Sequence, residues 1–204
     1  MVEPTRRRSV FVNCPFDPAY RPLFDGVVFT LAFCGFTVRS ALEVRDSGEL
    51  RLAKIVRLIE QSRLSIHDIS RVEPDAQSGL PRFNMPIELG IAIGMRYLGR
   101  ARLRDHALLV LDTERYRYQA FASDLAGVDI AAHHGELPGV IAAVRDFLLP
   151  HADGHLPGHA AVLDAYSVFR SELAGLASAA RQRVEDLTYT DRLRHLATFM
   201  ESLA

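Results

Sequence analysis

The chain has 204 residues, of which 49% are hydrophobic and 24% are charged, and its formal net charge is -1. This length allows one sizeable domain with an appendage. The near-zero charge argues against the broad basic surface that nucleic-acid binding requires. The cysteines, Cys14 and Cys34, form no CxxC pair, which disfavours a zinc site and favours a reducing cytoplasm. No long apolar span is visible, so we expect no membrane association.

Strand-like and helix-like segments alternate along the first three quarters of the chain. Short β-branched or alternating runs predict strands at 9–13, 36–42, 64–70 and 107–112, with a short edge strand at 128–133. Amphipathic or apolar runs predict helices at about 20–34, from near 49, at 84–98 and at 136–149. Asp46 or Ser47 can cap the second helix, and Asn84 can cap the third.

This alternation predicts an α/β fold with a flavodoxin-like parallel sheet of about five strands and helices on both faces. In such sheets, ligands bind at the carboxyl ends of the strands. The connection from Ser70 to Phe83 is long for a strand-to-helix loop. We therefore expect it to form a mobile lid over a site at this edge.

The predicted helix at 84–98 is unusual because Glu88 interrupts a run that is otherwise apolar or Gly from Met85 to Met95. In one interpretation Glu88 is a first-turn acid beside an Asn84 cap, and the helix terminus lowers its pKa. In the other, Glu88 lies at a cleft, where burial raises its pKa toward that of a catalytic group. The small residues Gly90 and Gly94 suggest close packing of this helix against the sheet.

The run from HDIS through NMPIELG, together with VFVNCPFD and the helix after it, resembles TIR-like and nucleoside deoxyribosyltransferase-like domains. In those domains a strand ending in Asp or Ser leads through a variable loop to a Glu near the next helix start. That Glu contacts a ribose and supports cleavage of the N-glycosidic bond, and the resemblance places it at Glu88. By the order of elements, the resemblance spans roughly Ser9 to Leu149.

The resemblance implies an N-glycosidase that cleaves NAD or a related nucleotide and serves as a prokaryotic immune effector. The nucleotide is then the substrate, and no cofactor is implied. Two alternatives stay open. One is a deoxyribosyltransferase-like enzyme acting on free nucleosides, and the other is a non-catalytic domain that binds a nucleotide signal or a partner TIR surface.

Candidate site residues follow from these positions. Glu88 is the proposed catalytic carboxylate, and Asp68, which ends the central strand, is the second catalytic candidate. The candidate substrate-binding residues are Asn13, Phe16, Asp17, Glu43, Asp46, Ser70, Arg82, Phe83, Asn84 and Tyr116. His67 lies within a strand and is expected to satisfy an internal hydrogen bond. No metal site is predicted, since the adjacent His133 and His134 point to opposite faces of a strand.

The C-terminal quarter reads as a separate helical extension. Residues 1–149 form the predicted α/β nucleotide-binding domain, 150–158 a linker by composition, and 159–204 a helical extension. The extension carries apolar stripes that must be buried on the parent domain or on another chain. We expect these helices to assemble a homo-oligomer, with an intramolecular helical hairpin as the alternative.

Overall fold

The computed structural model of the chain describes residues 5–43, 46–74 and 79–203. Within these residues the core is a parallel sheet ordered β2-β1-β3-β4-β5. Its strands are β1 Ser9–Asn13, β2 Thr37–Arg39, β3 Leu64–Asp68, β4 Ala107–Asp112 and β5 Ile130–Ala132. This is the flavodoxin-like order, so the predicted fold class is confirmed.

Helices cover both faces of the sheet. They are α1 Arg21–Phe33, α2 Arg51–Glu60, α3 Asn84–Leu98, α4 Leu137–Leu148, α5 His159–Ala179 and α6 Tyr189–Ser202. The alternating side chains of β1 show the layering: Val10 and Val12 join the apolar cluster of α1 and α4, whereas Phe11 joins that of α2 and α3. Both faces of β1 are therefore buried, as its apolar sequence predicts. Among the described residues, no helix is long and apolar enough to cross a bilayer.

The predicted helix caps are wrong. Leu50 precedes α2 without a side-chain cap, and Asp46 accepts a hydrogen bond from the Gly48 N–H at 2.8 Å instead. Asn84 is the first residue of α3, because the Ile87 N–H donates to the carbonyl of Phe83 at 2.9 Å and makes Phe83 the capping residue. Glu88 is consequently the fifth residue of α3, beyond the first turn.

Gly90 and Gly94 do not pack against the sheet. A Cβ atom at either position would meet no described atom within 4 Å apart from its chain neighbours and the surrounding backbone of α3, and Gly90 is exposed. The buried face of α3 is formed by Met85, Glu88, Leu89 and Ala92 instead. The small residues face outward because the helix turns its larger apolar side chains toward β1 and β3.

The C-terminal helices share the main apolar core. Phe29 of α1 lies at ring-centroid distances of 5.2 Å from Tyr166, 5.7 Å from Phe169 and 6.2 Å from Phe199. The segment before α5 is tied to α4, since Arg145 donates to the carbonyls of Pro157 and Leu156. The described stripes of α5 and α6 are thus buried on α1 and α4 of the same chain.

This shared core predicts that truncation after Pro150 unfolds the chain. A self-contained domain ending at residue 149 would instead stay folded after the same truncation. Each large apolar side chain uncovered on α1 and α4 costs about 1.5–3 kcal/mol, and several of them exceed a typical stability of about 5–15 kcal/mol. Thermal melting by circular dichroism measures the effect. Removal of Leu203 and Ala204 alone is the control, because Leu203 is exposed. A truncated chain with a cooperative, full-length-like transition would contradict this prediction.

Candidate functional site

A cavity of about 380 Å³ opens at the carboxyl edge of the sheet, between the loop after β1 and the start of α3. The loop contributes one wall, the first turn of α2 another, and the β3–α3 connection with the start of α3 the rest. The lining residues are Asn13, Cys14, Pro15, Phe16, Asp17, Pro18, Arg51, Arg71, Arg82, Asn84, Met85 and Glu88. The structure therefore brings Glu88 together with the predicted residues Asn13, Phe16, Asp17, Arg82 and Asn84.

Glu88 is the buried acid of this cavity. Its side chain is 8% exposed, and burial raises its pKa from 4.5 to about 7. The guanidinium of Arg51 acts in the opposite direction, with its Nη2 3.8 Å from Oε1 of Glu88. A first-turn acid would have a lowered pKa, so the environment of Glu88 is that of a cleft acid and not that of a helix cap.

Asn13 is held rigidly at the end of β1. Its Nδ2 donates to the carbonyl of Met85 at 3.0 Å and to Nδ1 of His67 at 3.0 Å. Because both N–H bonds of the amide are used, Oδ1 is the atom with which Asn13 can accept a hydrogen bond from a ligand. The Met85 contact also joins the end of β1 to the start of α3, which carries Glu88.

A buried chain of hydrogen bonds supports Asn13 from behind. Since Nδ1 of His67 accepts from Asn13, its Nε2 carries the proton and donates to Ser65 Oγ at 2.9 Å. Ser65 then donates to Nε2 of His106 at 2.8 Å, and Nδ1 of His106 donates to the Ser62 carbonyl at 3.0 Å. Burial lowers the pKa of His67 to about 3 and of His106 to about 4, so both rings are neutral. The expected internal hydrogen bond of His67 is confirmed.

Arginines give the cavity its positive charge. Arg51, Arg71 and Arg82 line it, and Arg71 and Arg82 also line an adjoining cavity of about 200 Å³. Asp17 offsets part of this charge, with its Oδ1 3.5 Å from Nη2 of Arg71. Guanidinium groups recognise phosphate through paired N–H donors. The arrangement suits a ligand with a phosphate at the border of the two cavities.

Asp68 does not line the cavity. It is fully buried, and its Oδ2 accepts a hydrogen bond from the Tyr20 hydroxyl, while its Oδ1 accepts from the Ser70 N–H at 2.8 Å. Nε2 of His133 approaches Oδ2 at 3.1 Å without the alignment of a full hydrogen bond. The Gly135 N–H donates to Nδ1 of His133, so the proton of this ring is on Nε2 and faces Asp68. Asp68 thus ties the end of β3 to the start of α1 and to the loop after β5.

The other predicted residues lie elsewhere. Glu43 pairs with Arg39 at 2.8 Å, Asp46 closes its local turn, and Ser70 is buried beside Asp68. Phe83 is exposed before α3, and Tyr116, in a left-handed conformation with φ of 67°, lines a separate cavity near β5. Residues 75–78 of the predicted lid are outside the described residues.

Sequence reasoning missed several lining residues, chiefly Cys14, Arg51, Arg71 and Met85. Arg51 follows the loop after β2, at the carboxyl edge of the sheet where ligands bind. That position was the sequence signal that could have placed Arg51 in the cavity. Burial and the carboxylates of Asp68, Glu88 and Asp17 raise the pKa of the Cys14 thiol well above its ordinary value. The thiol is therefore neutral and is a poor nucleophile.

The fold and the cavity define a class: a parallel α/β protein with a buried acid in an arginine-lined cavity at the carboxyl ends of its strands. Comparison of the chain with protein-family models, curated proteins and solved structures returned no match. We therefore base the proposed activity on the cavity and on the resemblance of the chain to TIR-like and nucleoside deoxyribosyltransferase-like domains.

Proposed function

We propose that the chain is a TIR-like N-glycosidase that cleaves NAD or a related nucleotide, with Glu88 as its catalytic carboxylate. The observation that carries the proposal is the buried Glu88 carboxyl, whose pKa of about 7 lets it ionise near neutral pH in an arginine-lined cavity. Glu88 is also the position that the resemblance implies.

Cleavage of NAD breaks the bond between ribose C1′ and the nicotinamide nitrogen. The bond electrons go to the nitrogen, whose positive charge is neutralised as nicotinamide leaves, and positive charge develops on the ribose ring. An ionised Glu88 stabilises that charge or bonds to C1′ transiently. Water then supplies the oxygen at C1′ and releases one proton. Asn13 can orient a ribose hydroxyl through its Oδ1.

The arginines favour a phosphorylated ligand over a free nucleoside. Arg71 and Arg82 line both adjoining cavities, whose volumes are about 380 and 200 Å³. A free nucleoside carries no phosphate to accept hydrogen bonds from these guanidinium groups. The arginines thus support nucleotide cleavage over the deoxyribosyltransferase-like alternative. An experiment is needed to distinguish nucleotide cleavage from non-catalytic nucleotide binding.

The test is incubation of concentrated protein with NAD and, separately, with a panel of nucleosides and free bases, followed by chromatography. Nicotinamide release that is lost in Glu88→Gln supports the proposal. Base exchange on nucleosides supports the transferase, and tight nucleotide binding without turnover supports the binding domain. Glu172→Gln is the matched control, because Glu172 is exposed on α5 and its substitution removes the same charge.

The pH dependence of turnover provides a prediction about Arg51. The ionised form of Glu88 is required, so kcat/KM should rise with pH and level off above about 7. Arg51 lowers the pKa of Glu88, so Arg51→Gln should move this midpoint to higher pH. Activity profiles of both proteins measure the shift. An unchanged midpoint would show that Arg51 does not act on the catalytic acid.

Self-association through α5 and α6, a cytoplasmic location and a role as an immune effector are further parts of the proposal. Since the described stripes are buried, a second copy would contact the outer face of α5, where Val168 is 47% exposed. Light scattering after size-exclusion chromatography tests the oligomer. Loss of cellular NAD after induction in a bacterial host, absent in Glu88→Gln, tests the effector role.

A further inference from the structure

The outward side of α3 is apolar along the whole helix. Between Phe83 and Leu98 the charged residues are Glu88, which is buried, and Arg96. Residues three or four apart share one side of a helix, so a second stripe runs opposite the buried one. We call this stripe the outer face of α3, and it consists of Phe83, Ile87, Gly90, Gly94, Tyr97 and Leu98.

The large side chains of this face are open to solvent. Phe83 and Ile87 are each 55% exposed, Tyr97 is 71% exposed and Leu98 is 89% exposed. At roughly 150–250 Å² for a complete large side chain, these four residues expose roughly 400–650 Å². The largest apolar patch of a typical monomer covers about 300–600 Å², and a patch of that size often marks an interaction site. The outer face of α3 therefore has the size of an interface.

Gly90 and Gly94 leave the middle of this face without side chains. Apart from chain neighbours and the backbone of α3, a Cβ atom at either glycine would meet no described atom within 4 Å. Gly90 and Gly94 lie two residues before and two residues after Ala92, and Ile87 and Tyr97 lie five residues before and five after it. The face thus has a small centre between two large ends.

This arrangement is complementary to itself. A two-fold dimer uses the same patch on both subunits. Two α3 helices that cross antiparallel at the level of Ala92 would place Gly90 opposite Gly94 of the partner subunit and Ile87 opposite Tyr97 of the partner subunit. Small residues at the crossing let the two backbones approach closely. Arg96, whose Cζ lies 5.7 Å from the centre of the Tyr97 ring, would lie in the polar rim.

We propose that the outer face of α3 binds the same face of a second copy of the chain in an antiparallel two-fold dimer. Its area is near the lower end for a specific interface, about 600 Å² per partner, so we expect a Kd on the order of 10 µM. The outer face of α5 is less suited, because the exposed charges of Asp164 and Glu172 lie one turn before and after Val168. The proposal is independent of the function assigned to Glu88, since it needs no turnover.

The test is sedimentation velocity of the full chain between about 1 and about 300 µM, a range that brackets the expected Kd. Wild-type protein should pass from monomer to dimer. Gly94→Arg should weaken the dimer at least about thirtyfold, because it buries an unpaired charge at the crossing. The Tm of the Gly94→Arg monomer should not fall, since the position is open and arginine favours a helix over glycine.

Gly175→Arg is the matched control, because Gly175 is exposed within α5 and a Cβ atom there would also meet no described atom outside its own helix within 4 Å. It should dimerise like the wild type. Loss of the dimer in Gly175→Arg, with the dimer retained in Gly94→Arg, would place the contact on α5 and overturn the proposal.

A mixing experiment tests whether both copies use the outer face of α3. A trace of fluorescently labelled Gly94→Arg should not join an excess of wild-type protein, because a two-fold contact needs an intact face on each copy. Joining would show a contact with a different surface and would overturn the proposal. So would wild-type protein that stays monomeric at about 300 µM, and binding of that monomer to phosphatidylcholine vesicles would assign the face to a lipid surface instead.

Discussion

Glu88→Gln is expected to lower nucleotide turnover by about 10³-fold or more while making the fold more stable above neutral pH. The substitution is nearly isosteric and removes the carboxylate that stabilises the ribosyl cation. Because the pKa rises from 4.5 to about 7 on folding, ionisation of Glu88 destabilises the native state. At about 1.4 kcal/mol per pH unit the full cost is about 3 kcal/mol, reached above pH 7 and absent below 4.5.

The buried Gln amide retains part of this burial cost, so we expect a gain of about 1 to 2 kcal/mol at about pH 8. Urea unfolding at about pH 8 and about pH 4 measures it, and the gain should vanish at the lower pH. Glu172→Gln is again the control. A loss of stability at the higher pH, or turnover at the wild-type rate, would show that Glu88 is a structural acid.

Asp68→Asn is expected to destabilise the fold by about 3 kcal/mol, because a buried carboxylate loses its acceptor capacity while its donors remain. The Tyr20 hydroxyl, the Ser70 N–H and His133 all face this carboxyl group. An amide presents one oxygen and two N–H donors, so at least one of these groups is left unmatched. Thermal and urea unfolding measure the loss.

The same variant separates an anchoring role from a catalytic one. Since Asp68 does not line the Glu88 cavity, kcat of the folded protein at low temperature should stay within about tenfold of wild type. Tyr20→Phe is the companion variant, with an expected loss of about 1 to 2 kcal/mol, since one hydrogen bond is removed. A kcat for Asp68→Asn as low as that of Glu88→Gln would restore Asp68 as a catalytic residue.

The fold was predictable because its signals are local and periodic. Strands such as Ser9–Asn13 and Ala107–Asp112 have continuous apolar runs, and their alternation with helices admits few arrangements other than a parallel sheet. Helix starts were less predictable, since Asn84 has the chemistry of a cap but lies one residue inside α3. The bond from Ile87 to Phe83 decides that boundary, and no propensity indicates it.

Site residues were predictable only where the order of strands and helices along the chain determines their place in the fold. Asn13, Asp17 and Glu88 meet because the ends of parallel strands share one edge of the sheet. Arg51 and Arg71 could not be told from surface arginines, because their role depends on a cavity formed by three separate segments. Asp68 was placed in the site because it ends the central strand, but the sequence cannot show that Tyr20 and His133 enclose it.

The most direct measurement is an NMR titration of the Glu88 side-chain carboxyl, with and without ADP-ribose. We predict a midpoint at a pH of about 7 in the free protein, and a change in that midpoint when ADP-ribose fills the cavity. A Glu88 midpoint at or below 4.5, unaffected by ADP-ribose, would contradict the proposal that Glu88 is the working acid of a nucleotide site.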